Sequence, residues 1–480
     1  MGTAKLWAQN EWTFNEVDFY YALQLTYSSM QRTTNMINGR AWYLSQLNPQ
    51  YASHYLGTQA DEIIAQANNG TLTAGTTYMG QAHHFVDPAF KIGATYKIDG
   101  RNKLKINALA ETRAPLARNA YISQRVHDRA IETIYTHDQA KNLKDFYAAS
   151  EKVVGGDLSY EFNFPIVRGR ITGFFTQFWD GSELNGYYDD EARTFVNQAL
   201  TGIDRRHMGI EAAAAVKLGT YFTLTGAASV GDYRYTSNAM AITSAENGMA
   251  LAEDKDGKSV FELQDEVLLN GIRVATGPQV NASLKLSFFH PKMWFADVTV
   301  SYYDWNFLDV APSRRMKGLY TGVRADGTPV NGWYGDNYAN AIKTTDGKAA
   351  VVTGNGSFPA NAVLDANGVP VLRYPYNILS MQESLAATNP LNRFIIDASV
   401  GKLIYLKNRQ SLSVNLSVTN LTNNTHFKTG GYQQARLPRY TRQGVGDNEN
   451  SVISPNAWKF PSKYYYAWGM NFFLSVTYKF

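Results

Sequence analysis

The feature that most constrains this chain is a two-residue alternation of apolar and polar side chains, repeated along most of its length. In the last segment Met470, Phe472, Leu474, Val476, Tyr478 and Phe480 alternate with Asn471, Phe473, Ser475, Thr477 and Lys479. Leu412, Val414, Leu416 and Val418 alternate with Ser411, Ser413, Asn415, Ser417 and Thr419. Near the start Val17, Phe19, Tyr21, Leu23, Leu25 and Tyr27 form a third such row. Period two places successive side chains on opposite faces of a strand, so these segments predict sheets with unlike faces. The stretch from Arg170 to Trp179 is ambiguous, with apolar residues on both faces.

The connections between strands come in two kinds. Tight turns are expected near Phe14-Asn15-Glu16, Asp99-Gly100-Arg101-Asn102, Pro165 to Gly169, Leu218-Gly219-Thr220, His290-Pro291-Lys292 and Lys407-Asn408-Arg409. Gly, Asn, Asp and Pro recur there because they supply the backbone angles of a short reversal. Between them lie polar stretches, roughly 33–86, 114–155, 183–206, 237–277, 308–390 and 421–463, read as long loops. Short and long connections alternate, the pattern of a membrane barrel with short periplasmic turns and long extracellular loops. The count comes to about thirteen strands, each near the 9–11 residues that a tilted strand needs to cross hydrocarbon.

A water-soluble β-protein also alternates. Aromatics bunched at strand ends argue against it: Tyr302, Tyr303 and Trp305 at one end, and Tyr464, Tyr465, Tyr466 and Trp468 at another. Such rings suit a lipid headgroup boundary. Composition agrees: 31 Tyr, 24 Phe and 9 Trp in 480 residues, with mildly negative mean hydropathy. No apolar run approaches the roughly 20 residues of a membrane helix. The net charge of +4 and the lack of a clustered basic face exclude a nucleic-acid partner. With no cysteine, neither disulfides nor a thiolate metal site can form. The fold class expected is all-β, an antiparallel transmembrane β-barrel of the cell outer membrane spanning residues 1–480. The start, Met1-Gly2-Thr3-Ala4-Lys5-Leu6-Trp7, is no signal peptide, so an exported chain implies a removed signal or a missing beginning.

Two motifs carry a resemblance. Tyr478-Lys479-Phe480 resembles the barrel-assembly signal of outer-membrane proteins, with Tyr478 and Phe480 as its rings. Asn415-Leu416-Ser417-Val418-Thr419-Asn420-Leu421-Thr422-Asn423-Asn424 resembles the penultimate-strand motif of TonB-dependent receptors, a strand ending in an Asn-Leu-x-Asn-like turn. Ala114-Pro115-Leu116-Ala117-Arg118-Asn119-Ala120-Tyr121 also looks like a loop segment of the Bacteroidota-type receptors of this family. The resemblance implies a barrel of about 22 strands occluded by an N-terminal plug. It implies uptake of a scarce solute (glycan, peptide, siderophore or cobalamin) energised through TonB, and in some relatives a surface lipoprotein lid. This chain has no plug and no visible TonB box. An odd strand count ending in the periplasm makes its first strand begin outside, so plug and roughly nine strands are expected to be missing. A passive pore or structural barrel is the alternative.

No catalytic constellation appears, and neither an enzyme nor a cofactor is expected. Asp254-Lys255-Asp256-Gly257-Lys258-Ser259 lacks the later Glu of a calcium loop and the first Gly of a phosphate loop. His83-His84 lacks a third metal ligand, and Asp189-Asp190-Glu191 is a solvated acidic run. Candidate solute contacts are loop aromatics and arginines, because rings stack on planar ligands and Arg grips carboxylates bidentately. In the longest loop these are Trp305, Arg314, Arg315, Tyr320, Trp333, Tyr334, Tyr338, Arg373, Tyr374 and Tyr376. In the last loop they are Tyr432, Arg436, Arg439, Tyr440 and Trp458. The bland alternative is that these rings pack loops together or line the membrane boundary.

Overall fold

A computed structural model describes residues 1–35, 59–72, 78–79, 82–123, 149–189, 194–253, 259–260, 262–318, 324, 343–346, 361–364, 366, 371, 382–435 and 461–480. Thirteen antiparallel strands follow one another in a single sheet. They are β1 (Gly2–Thr13), β2 (Val17–Met30), β3 (His83–Lys97), β4 (Asn102–Arg113), β5 (Glu151–Asn163), β6 (Val167–Asp189) and β7 (Thr194–Leu218). Then come β8 (Phe222–Tyr235), β9 (Val280–His290), β10 (Trp294–Asp304), β11 (Phe394–Tyr405), β12 (Ser411–Thr419) and β13 (Asn471–Lys479). Each pairs with its sequence neighbour, as a meander of hairpins must. Among the described residues β1 pairs only with β2, and β13 only with β12, so both edges are free of a described partner. Among the described residues no helix is long and apolar enough to cross a membrane, which says nothing against crossing by strands.

All six expected tight turns form, and their chemistry explains why. The Asp99 carboxylate accepts from the backbone N–H groups of Arg101 (2.6 Å) and Asn102 (2.7 Å). Gly219 takes φ 74°, and Asn408 takes φ 61°, conformations that favour Gly and Asn. The loop expectations need two corrections. Residues 183–206 are not a long loop: β6 and β7 run for 23 and 25 residues, and only 190–193 lie outside the described residues. Their upper halves continue beyond the length needed to span hydrocarbon. There Asn197, Gln198 and Thr201 are buried in protein, so neither face keeps the lipid-type alternation. The stretch 237–277 likewise contains strands Ala239–Ala245 and Glu262–Val267, which extend β7 sideways.

The two faces of the sheet differ sharply. One carries Leu25, Ile106, Leu158, Ile171, Ile210, Leu284, Leu286, Val298, Val400, Leu474 and Val476, all substantially exposed; Ile210 is 60% exposed and Leu284 51%. A contiguous exposed apolar face of this extent is foreign to water-soluble monomers. It is bounded at the short-turn end by rings: Trp12 stacked on Phe19 (5.5 Å), Phe222 near Phe288 (5.0 Å), and Trp294 under Lys402 Nζ (4.5 Å). Tyr478 and Phe480 belong to this face, 6.3 Å apart and exposed. The opposite face is polar. Lys97–Asp18 (2.6 Å), Lys105–Glu161 (2.8 Å) and Lys285–Asp297 (3.1 Å) pair across strands, and Tyr20 Oη donates to Asn107 Oδ1 (3.1 Å). The Tyr20 ring lies across Gly93, whose added Cβ would sit 2.3 Å from it, so glycine is required there. This is an antiparallel sheet of the transmembrane-barrel type, apolar outside and polar inside.

At the end of β12 the expected asparagine turn is built from side chains. Asn420, at φ 52°, donates through Nδ2 to the carbonyls of Asn424 (3.0 Å) and Trp468 (2.7 Å). Its Oδ1 accepts the Asn424 N–H (2.8 Å). Asn424 Nδ2 in turn donates to the carbonyls of Asn392 (2.9 Å) and Phe394 (3.0 Å).

Candidate functional site

Above the long-connection end, several segments pack into a layer over the sheet. The upper halves of β6 and β7 meet residues 239–245 around Ile122, Ala199 and Ile242, all nearly inaccessible, with Leu184 and Met240 against them. Residues 305–317 are tied in by backbone hydrogen bonds: Leu308 to Glu383 (2.9 Å), Asp309 to Gly431 (3.0 Å), and Lys317 to Glu266 (2.7 Å). The site candidates that fall on described residues, Trp305, Arg314, Arg315 and Tyr432, are held by this layer.

Trp305 stands at the end of β10 with φ 50° and is 41% exposed. The Arg273 guanidinium lies 4.8 Å from its ring centroid and 4.9 Å from that of Phe307. Arg273 also pairs with Asp232 (3.0 Å) and donates to Gln279 Oε1 (2.7 Å), while its backbone is clamped by the Gln382 side chain. Trp305 therefore presents one face already covered by a cation. Arg314 and Arg315 sit on and just after the 3-10 turn Pro312–Arg314 and are buried, 9% and 5% exposed, so the layer's interior holds them. Tyr432 lies on the short strand Lys428–Tyr432, its ring 6.0 Å from Tyr465. Tyr320, Trp333, Tyr334, Tyr338, Arg373, Tyr374, Tyr376, Arg436, Arg439, Tyr440 and Trp458 lie outside the described residues, as do Asp254 to Lys258. His83 is buried in β3, and among the described residues no three His, Asp or Glu side chains gather as a metal site. Asp189 ends β6.

A second arrangement was not visible in the sequence. Arg113, residues 114–116, Arg118 and Asn119, Ala149 and Glu151 at the start of β5, residues 181–185 of β6, and Ile203 and Arg205 of β7 line a cavity of about 550 Å³. At its wall Glu151 accepts from Arg113 through Nε (2.9 Å) and Nη2 (2.8 Å), and from Arg205 Nη2 (3.0 Å). Both guanidiniums also approach the Phe178 ring, at 5.8 and 5.5 Å. The ladder between β6 and β7 shifts register at Phe178/Gly181 and Gly181/Glu183, and Asp180 takes φ 58°. A bulge of this kind re-aims side chains. It turns Glu183 into the cavity's lining. The Glu183 carboxylate also acts on Asp309. Although the Asp309 side chain reaches solvent, desolvation by the surrounding protein pushes its carboxyl up to about 6, with Glu183 adding to the shift and the Val310 backbone N–H opposing it.

By sequence, no known protein family matches the chain, and no curated protein does. Solved structures are similar to it at low identity. The copper transporter OprC aligns with 99% of this chain and 47% of its own length, at 10% identity and a TM-score of 0.45. The ferric-catecholate import receptor Fiu of E. coli K12 aligns with 99% of this chain and 44% of its own, at 11% identity and TM-score 0.43. The outer membrane transporter YddB of Escherichia coli gives 99% and 53%, at 8% identity and TM-score 0.40. The chain thus spans about half the length of the structures it resembles.

Proposed function

We propose that this chain forms part of the barrel of a TonB-dependent outer-membrane receptor that captures a scarce solute at its loop layer and admits it along its polar face. One observation carries the reading: a thirteen-strand antiparallel sheet with an exposed apolar face, a polar opposite face, and a packed, cavity-bearing layer at one end only. The free edges of β1 and β13 bear on it too. In hydrocarbon each unpaired backbone group costs several kcal/mol, so only a closed sheet survives there. Closure calls for further strands beside both edges. Coupling to TonB, the plug, the Bacteroidota type and a lipoprotein lid rest on the resemblance of residues 114–121, 415–424 and 478–480. The named solutes of similar structures, copper and ferric catecholate among them, do not define the solute here.

The test is growth on a panel of sole nutrients in a Gram-negative host carrying the gene. Deleting the gene and deleting tonB are expected to abolish growth on the same nutrient. Loss in the first strain alone would replace this reading with a passive pore.

A further inference from the structure

We infer that the cavity beneath residues 114–119 is a binding site for a carboxylate-bearing ligand, gripped by Arg118 and Arg205 with Arg113 beside them. The inference rests on the transport reading only in making this the solute's site. The cavity already contains the grip it would use. Two arginines converge on one carboxylate, Glu151, at 2.8 to 3.0 Å: Arg113 places Nε and Nη2 on Oε2 and Arg205 places Nη2 on Oε1, so both carboxylate oxygens are held by charged N–H donors. The pairing leaves donors over. Arg205 Nε is buried without an acceptor, and Arg118 has no ion-pair partner among the described residues.

The lining charges are Arg113, Arg118 and Arg205 against Glu151 and Glu183, three minus two, a net +1. Glu183 also faces another carboxylate, Asp309. The arginine side therefore holds the excess positive charge. Gly181 belongs to the design. A Cβ there would meet the Ile203 carbonyl at 2.9 Å and Glu151 Oε1 at 3.4 Å, so glycine leaves the carboxylate its room. Asn119, whose Nδ2 donates to the Ser182 carbonyl (3.1 Å), ties the 114–119 wall to β6. The cavity size suits a small organic acid or the end of a longer chain. A sugar acid and a peptide C-terminus share this chemistry.

The experiment titrates the complete receptor that contains this chain, purified folded in detergent, with trigalacturonate and with trialanine, each beside its blocked form (methyl ester or C-terminal amide). One acid is expected to bind at least tenfold more tightly than its blocked form, and which one does so identifies the source. Arg118→Gln, an exposed change that leaves packing alone, is expected to weaken that binding at least tenfold, as is Arg205→Gln. Glu151→Gln is expected to strengthen it severalfold by freeing both guanidiniums. Equal binding of acid and blocked form, no binding of either acid at millimolar concentration, or indifference to Arg118→Gln would overturn the site. Because binding is read without an energised membrane, such a failure leaves the transport reading to the growth test, and the reverse holds equally.

Discussion

Leu284→Arg is expected to destabilise the complete receptor that contains this chain, folded in lipid, by about 2–4 kcal/mol, the cost of placing a cation on the lipid face of a barrel near the bilayer midplane. Leu284 lies mid-strand on β9, faces outward, and stands opposite Val300 and Gly226 on the neighbouring strands. Ser283, one residue away, points to the polar side opposite Ser301 and Ala227. Ser283→Arg is therefore expected to change stability by no more than about 0.5 kcal/mol. Urea unfolding of both variants in lipid vesicles separates the cases. If water covered both faces, the two substitutions would cost the same.

Asn420→Ala is expected to cost about 3 kcal/mol, because one side chain satisfies three backbone groups, the two of Asn424 in buried hydrogen bonds and the Trp468 carbonyl in a half-buried one. The carbonyls of Asn424 and Trp468 and the N–H of Asn424 all lose their partner. Each such orphan costs about 1–3 kcal/mol, softened by whatever water can enter. The left-handed φ of 52° adds to the penalty, since alanine tolerates it less well than asparagine. Asn423→Ala provides the control. Asn423 shares the left-handed backbone (φ 51°), but among the described residues its Oδ1 accepts only the exposed Met470 N–H (2.9 Å), so beyond the common backbone penalty its loss is expected to cost about 1 kcal/mol. Comparable losses for the two variants would mean that the turn is not the anchor described here.

How much of this could be read in the sequence depended on where each residue meets lipid. Within the hydrocarbon-length parts of the strands, one face must be apolar and the other polar, so Leu412, Leu416 and their row announce themselves. The turns were equally legible, because Asp99, Gly219 and Asn408 each supply a conformation or a hydrogen bond that few residues can. The upper halves of β6 and β7 were misread as loop for the converse reason. Above the lipid, Asn197 and Gln198 are buried against protein and no alternation survives. The cavity was hidden because its members are distant in the chain: Arg113 and Glu151 are 38 residues apart, and Glu151 and Arg205 are 54 apart. Only strand register brings them together. Trp305 was singled out for its ring, but Arg273, which covers it, had no local signal.

The central claim, that the Leu284 face meets lipid and the Ser283 face water, is most directly tested by spin labels at single cysteines through residues 280–290, a scan simplified by the chain's lack of native cysteine. In lipid vesicles, accessibility to oxygen is predicted to peak at 284, 286 and 288, and accessibility to a water-soluble nickel chelate at 283, 285 and 287. Nickel accessibility at both sets, or oxygen accessibility without a two-residue period, would contradict it.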